Sequence, residues 1–498
     1  MRLAGAGGAD RAENRRPPLM ALTCAGDRPY IAANASREPD RVAFDPTRAA
    51  IRFGTGLSPR LPAPDSTAAM LAELLAPDEM ARRHPIPAFA AARPGLAEWR
   101  AAQRAFRQGR GKPGEAAARG AYDALRRDAA ALGRRGFMAS LARGIEAPQG
   151  GLRERLSWFW ADHFTVRSRQ PATRHLVTPY VEEAIRPHVS GRFETMLIAV
   201  TTHPMMLGYL DQSGSVGPGS KAAQPGDGLN ENLARELLEL HTVGVGGPYA
   251  QADVRELAEL LTGLGAGPRG MRYRRDRAEP GAETVLGTRF DAAPRLGTIH
   301  DALRMLARHP ATAAHLARKI AVHFVADDPD PALVAALEAA WRDSDGDLGV
   351  VTGALLAHPA AWSSAPGKVK PPFDFVVSGL RALGLPSAAL RADRPRWMNR
   401  VLRAPLERMG QGWEQPPGPD GWPETAAAWI TPPGMAGRID WAMTAPEALM
   451  DRLPDPRDFA RAALGETLPE PVAFAARAAE SRAEAIGVVL SAPAFQRR

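Results

Sequence analysis

The sequence predicts a mostly α-helical protein: a large multi-helix globular domain with long irregular loops and little or no sheet. Three observations carry that expectation. Stretches rich in Ala, Leu, Arg and Glu, such as Pro113–Leu141, favour helix intrinsically. Runs of β-branched and aromatic residues with period two are scarce. Helical patterning begins near Asp65–Leu75 and recurs along most of the chain, broken again and again by proline.

Composition narrows the class. Hydrophobic residues make up 45% and charged residues 24% of the 498, the balance of a globular protein with a sizeable core. No window approaches the roughly 18 consecutive apolar residues that a membrane span needs. The net charge is +8, yet only five of the 63 basic residues are lysine (Lys112, Lys221, Lys319, Lys368, Lys370). The arginines are spread along the chain, so no phosphate-binding stripe forms and no nucleic-acid partner is expected. The single cysteine, Cys24, excludes an intramolecular disulfide. The opening MRLAGAGGADRAENRRPP lacks a hydrophobic signal core. The default location is therefore the cytoplasm, with the periplasm as the alternative if the true start lies elsewhere.

Residues 1–45 are rich in Gly, Ala, Arg, Asp and Pro without a sustained period and are expected to be a disordered extension. Residues 46–498 then form the helical domain, with a sub-boundary near 365–390. A phrase recurs within it: an apolar helical stretch ends at His203-Pro204, His309-Pro310, His358-Pro359 or Ala492-Pro493, and a new segment follows. Proline disfavours helix in the residue before it and suits the first turn of the next. The histidines therefore read as punctuation, each placed to interact with a helix dipole. Gln212–Gly228 reads as a flexible loop. Trp413, Trp422 and Trp429 stud a second irregular stretch, where they pin the loop to the core or form a platform for a carbohydrate or aromatic ligand.

The densest polar segment is GLNENLARELLELHTVGVGG, from Gly228 to Gly247. Asn230 is placed to cap a helix, Glu231 suits its first turn, and Gly246-Gly247 suits its end. At 100° per residue, Asn232, Arg235, Glu236 and Glu239 share one face. The leucines share the other, with His241 in their midst. If the polar face is solvated, Glu231–Arg235 and Arg235–Glu239 are ordinary i,i+4 pairs. If it lines a pocket, Glu236 and Glu239 offer carboxylates for a divalent metal or for proton transfer, and Asn230, Asn232 and Arg235 hold them or a substrate. A second candidate is LSWFWADHFT, Leu156–Thr165, where His163 either packs in the core or faces that helix. Asp211, at the end of LGYLD, is placed to cap or ligate. P-loop, Rossmann, nucleophile-elbow, EF-hand and zincin patterns do not occur.

These segments carry a family resemblance. W-F-W-A-D-H-F, H-P-M-M-L-G-Y-L-D-Q-S, G-L-N-E-N-L-A-R-E-L-L-E-L-H-T-V-G-V and M-G-Q-G-W-E-Q-P-P-G-P-D-G-W-P resemble the bacterial domain-of-unknown-function 1800 family (DUF1800). The likeness runs from about residue 49 to the C-terminus. It implies a mostly helical fold and association with a secreted, sulfatase-like neighbour family, and it carries no assigned activity. Asn230, Glu231, Asn232, Arg235, Glu236, His241, His163 and Asp211 match its signature. Relatives usually carry Trp at the position of Leu264, Thr or Ser at Ala250, and His at Ala278. Two function classes stay open: a structural or accessory protein that binds a partner, and a hydrolase, metal-assisted or not. In the second, Glu236, Glu239 and His163 would be catalytic, and Asn230, Glu231, Asn232, Arg235, Asp211 and His241 would bind.

Overall fold

Helices dominate the computed structural model, which describes residues 44–168, 173–267, 270–291, 293–364, 367–390 and 393–498. The expected disordered extension lies, apart from Phe44 and Asp45, outside the described residues. So does Cys24. Strands amount, among the described residues, to two antiparallel pairs, Leu264–Ala266 with Met271–Tyr273 and Thr284–Val285 with Thr288–Arg289. Phe44–Arg498 is one compact unit. The expected sub-boundary near 365–390 falls within Pro372–Ala382, a helix buried along its whole length. No helix among the described residues is long and apolar enough to cross a membrane.

Proline punctuation works through capping. His203, His309 and His358 each accept, at Nδ1, the backbone N–H two residues on, at 3.1, 3.1 and 3.2 Å. Asp330 and Asp455 do the same before Pro331 and Pro456. The expectation of a dipole contact at the preceding helix is thus corrected. A positive imidazole would suit a helix C-terminus, but here a neutral ring nitrogen is the acceptor at the next N-terminus. Ala492, with no acceptor, leaves its helix without a side-chain cap.

Three buried arginines knit the core. Helix Leu152–His163 supplies Arg155, whose guanidinium grips Asp374 of helix Pro372–Ala382 at 2.6 and 2.9 Å. Arg498 donates to the same carboxylate at 3.1 Å. Burial alone would raise the pKa of Asp374; the two guanidiniums outweigh it and hold the group at about 2. Arg155 also donates to the Gly54 carbonyl, 3.0 Å from Nε. Arg381, two turns after Asp374 on the same helix, donates to the carbonyls of Gly56 and Ile145 at 2.8 and 3.0 Å.

The loop Gln212–Gly228, expected to be flexible, is fastened at several points. Gly219 N–H donates to the Glu279 carboxylate at 2.8 Å, and Gly217 and Ala222 pair with the backbone of Arg277 and Asp276. A Cβ on Gly217 would lie 2.6 Å from the Glu279 nitrogen, so that closure requires glycine. Ala278 is buried beside it.

Two stability predictions follow from this frame. Asp374→Asn strands two guanidiniums in the core and should cost about 3–5 kcal/mol in chemical denaturation. Ala250 N–H is already accepted by Asp253 at 2.8 Å, which is one half of a capping box. Ala250→Thr supplies the other half and should gain about 0.5–1 kcal/mol in the same measurement.

Candidate functional site

Helix Leu152–His163 has two working faces. Arg155, Trp158, Asp162 and Thr165 recur at helical spacing and line a cleft of about 200 Å³. Phe159, Trp160, His163 and Phe164 turn the other way, into the core. The opposite walls of the cleft come from Phe373 and Asp374, from His323, and from the irregular segment carrying Trp413, Glu414, Trp422, Glu424 and Trp429. The three spaced tryptophans all line this cleft, and Trp413 also pins its segment to the core. Trp413 packs against Phe137 and Phe373, with ring centroids 5.0 and 4.9 Å apart, while lining the cleft.

Two carboxylates on this wall lie in opposite regimes. Burial pushes Asp162 up to about 7, against the Trp422 N–H that its Oδ1 accepts at 2.9 Å and the nearby Lys319 ammonium. Burial acts on Glu424 too, but His323, Arg498 and Lys368 outweigh it and hold the group at about 2. His323 Nδ1 lies 2.6 Å from Glu424 Oε1, so the ring donates there, and Lys368 donates to the Glu424 carbonyl and to Asp327. Near neutral pH one cleft therefore holds a protonable acid and a permanently ionised one. Gly421 makes the approach to Asp162 feasible. At φ +80°, a Cβ there would lie 2.7 Å from both Asp162 O and Oδ1.

A relay of side chains joins this cleft to the signature helix. Lys319 Nζ lies 3.1 Å from His163 Nδ1, which must accept because an ammonium has no lone pair. His163 Nε2 then carries the proton and donates to the His241 carbonyl at 3.3 Å. Burial, and then Lys319, lowers both imidazoles; His241 falls to about 3 and His163 stays well below 6.5. His241 is buried, as its place among the leucines predicts, and its ring centroid is 5.8 Å from that of His163.

The rest of the signature helix is half-buried and pairs with itself. Arg235 meets Glu231 at 3.0 Å and Glu239 at 3.4 Å, and Gln251 bridges Arg235 and Glu231 at 3.1 and 2.9 Å. Asn230 Oδ1 accepts the Asn232 N–H at 2.9 Å, the expected capping bond. The helix ends earlier than Gly246-Gly247. After Asn232–Glu236 it widens into a π turn, Leu237–His241, and Thr242 Oγ1 closes it on the Leu237 carbonyl at 2.6 Å. Glu236 is raised by burial and then by Glu239 and Asp420, and Asp420 acts on Asp162 as well. Asp211 is exposed in the left-handed region at φ +57°, and its carbonyl accepts Asn230 Nδ2 at 3.5 Å. Among the described residues, no three His, Cys, Asp or Glu side chains are grouped to hold a metal ion.

Sequence reasoning passed over Asp162 as a separate group, along with Glu424, His323, Glu414 and the Arg155–Asp374–Arg498 floor. One signal was available for Asp162: Arg155, Trp158 and Asp162 recur at three and four residues, a stripe distinct from the one containing His163. Lys319 and His323, four apart on one helix, offered a similar hint. The contacts of Glu424 and Arg498 join residues 56 to 175 positions apart and leave no local pattern.

Asp162 also supplies a pH prediction. In the unfolded chain a carboxyl of this type ionises near 4, whereas the folded one holds its proton to about 7. Its contribution to stability is complete below about 4 and is lost as pH rises through about 7. Asp162→Asn removes that loss. The variant should gain about 1–2 kcal/mol over the parent between pH 4.5 and pH 8, read from paired denaturation curves.

Comparison with known families completes the picture. A family model described as a protein of unknown function, DUF1800, matches residues 41–497. No curated protein and no solved structure matches the chain. With nearly its whole length covered by that one model, the chain belongs to the DUF1800 family.

Proposed function

We propose that the cleft beside Asp162 is the active site of a hydrolase that acts on a small, ring-bearing substrate, with Asp162 as general acid. One observation carries the reading: a single aromatic-walled cavity is lined by both a protonable carboxyl and an ionised carboxylate. General acid–base catalysis needs that division of labour, with the acid's pKa close to the working pH. Trp158, Trp413, Trp422 and Trp429 supply apolar ring surface for a flat face such as a sugar or an aryl group. Asp162 Oδ1 is held by the Trp422 N–H, which leaves Oδ2 for the substrate. Glu424, fixed by His323 and Lys368, supplies the negative field that a developing cation requires.

Within this reading the signature residues divide. His163 is a positioning residue, since it fixes Lys319, whose charge acts on Asp162. Glu236, which like Asp162 feels the charge of Asp420, would guide a polar substrate toward the cleft. Asn230, Glu231, Arg235, Glu239 and Gln251 shape the helix that carries His241. A divalent metal, if the reaction uses one, would have to be completed by ligands outside these groups.

The partner-binding reading keeps one observation in its favour. Ile439 and Met443, one turn apart on helix Pro432–Leu449, are 46% and 37% exposed. A protein of the secreted, sulfatase-like class implied by the family resemblance would cover such side chains.

The experiment is a panel of chromogenic aryl glycosides, esters and phosphoesters. It is read together with tryptophan fluorescence, because four indoles line the cleft. Turnover of one class should fall by about 100-fold or more in Asp162→Asn. It should also decline above pH 7, where the acid loses its proton. Full activity in Asp162→Asn would remove Asp162 from the mechanism. A flat fluorescence response together with no turnover across the panel would favour the partner reading.

A further inference from the structure

A second cavity, of about 440 Å³, backs onto the first and shares its wall at Trp413 and Glu414. It opens between Trp99 on helix Leu96–Gly109, the middle of helix Glu115–Glu146, and the segment from Pro395 to Arg403. Four arginines line it: Arg126, Arg134, Arg174 and Arg403. The one carboxyl among them is Glu414, which accepts the Thr178 hydroxyl and which burial pushes up to about 7. Glu414 stands at φ +54°, a conformation that side chains rarely adopt.

The charges on this wall are not balanced. Arg134 and Arg403 pair with no carboxylate among the described residues, and Arg174 reaches only the neutral Gln415 amide, at 2.7 Å. Burial, and then the proximity of Arg174, lowers Arg403, and Glu414 and Glu407 offset this only in part. Donors go unused as well. Trp99 Nε1, Arg134 Nε and Trp413 Nε1 are buried without a hydrogen-bond partner among the described residues, and Trp99 is only 4% exposed. Buried donors without acceptors and gathered cations without anions each cost free energy. Buried arginines elsewhere, such as Arg438 and Arg498, also leave Nε unused, but both of their other nitrogens donate to side-chain or backbone acceptors. An acceptor-rich anion would meet both deficits at once.

We propose that this cavity binds an oxyanion carried on a small ligand, the anion against Arg134, Arg174 and Arg403 and the ligand's apolar part against Phe137, Met398 and Trp99. The volume is that of a small-molecule site. The mixture of guanidiniums with indole and aliphatic surface fits a ring bearing a phosphate, sulfate or carboxylate better than a free inorganic ion. This assignment rests on the second cavity's own residues and stands whether or not the first cleft is catalytic.

Calorimetric titration of the full chain with phosphate, sulfate, acetate and phenyl phosphate tests the proposal. Saturable binding is expected, with phenyl phosphate about 10-fold tighter than inorganic phosphate because its ring leaves water. Affinity should weaken with added salt. The double variant Arg134→Met, Arg403→Met should bind at least about 10-fold more weakly. Arg457→Gln, an exposed arginine elsewhere, controls for overall charge and should bind as the parent does. If the double variant melts early, Arg174→Gln, exposed at the rim, replaces it, with a loss of about 3-fold or more. No saturable response to any probe overturns the proposal, and so does undiminished affinity in the arginine variants. Relative affinities among the four probes distinguish phosphate, sulfate and carboxylate as the group recognised.

Discussion

One buried ion cluster sets the frame: Asp374 held between Arg155 and Arg498. Charges taken out of water demand partners, and the geometry that satisfies them is narrow. Arg155 fixes the rotation of helix Leu152–His163 about its axis. Once that rotation is set, Trp158 and Asp162 have to face the cleft, and His163 has to face the core. Arg498, by donating also to the His323 carbonyl at 3.0 Å, places the imidazole that holds Glu424. The two carboxylates of the cleft are therefore positioned from one salt-bridged floor. An apolar replacement could be as stable, but it would not dictate the same rotation.

The neighbours Asp162 and His163 show how a single step along a helix separates roles. Each full turn brings a residue back to the same side, so adjacent residues look about 100° apart. The acid meets the cleft; the imidazole meets the signature helix. Lys319 lies between them in charge, bonding to one and acting through space on the other. The π turn at Leu237–His241 adds its share by bringing the His241 carbonyl to His163 Nε2. Signature residues and cleft are thus linked by contacts, although most of the signature's polar side chains never enter the cavity.

Much of the fold was legible in the sequence because its determinants are local. Proline after His or Asp marks where helices restart, and alanine-rich stretches mark where they run. The amphipathic split of Asn232–Glu239 and the burial of His241 follow from spacing alone. The early end of that helix did not, because a widened turn depends on Thr242 finding the Leu237 carbonyl and not on composition. The cleft was legible only in part. Its tryptophans stood out as an unusual cluster, and WFWADH stood out as unusual chemistry. The pairing of Asp162 with Glu424 joins residues more than 250 positions apart, and the basic cavity gathers arginines from three segments. In a chain with 63 basic residues, arginines look alike until folding places some of them without partners.

The scarcity of lysine acquires meaning from where the five lie. Lys112 and Lys221 are exposed, whereas Lys368 and Lys370 are buried and Lys319 is half-buried. Lys319 and Lys368 stand beside the carboxylates and imidazoles of the cleft, and Lys370 sits 4.0 Å above the Phe495 ring. Where arginine serves for ordinary surface charge, the short list of ammonium groups has settled mainly in the interior, as compact charges. Amine-directed chemistry would accordingly meet only Lys112 and Lys221 as open side chains among the described residues, while the cleft's own amines stay shielded from it.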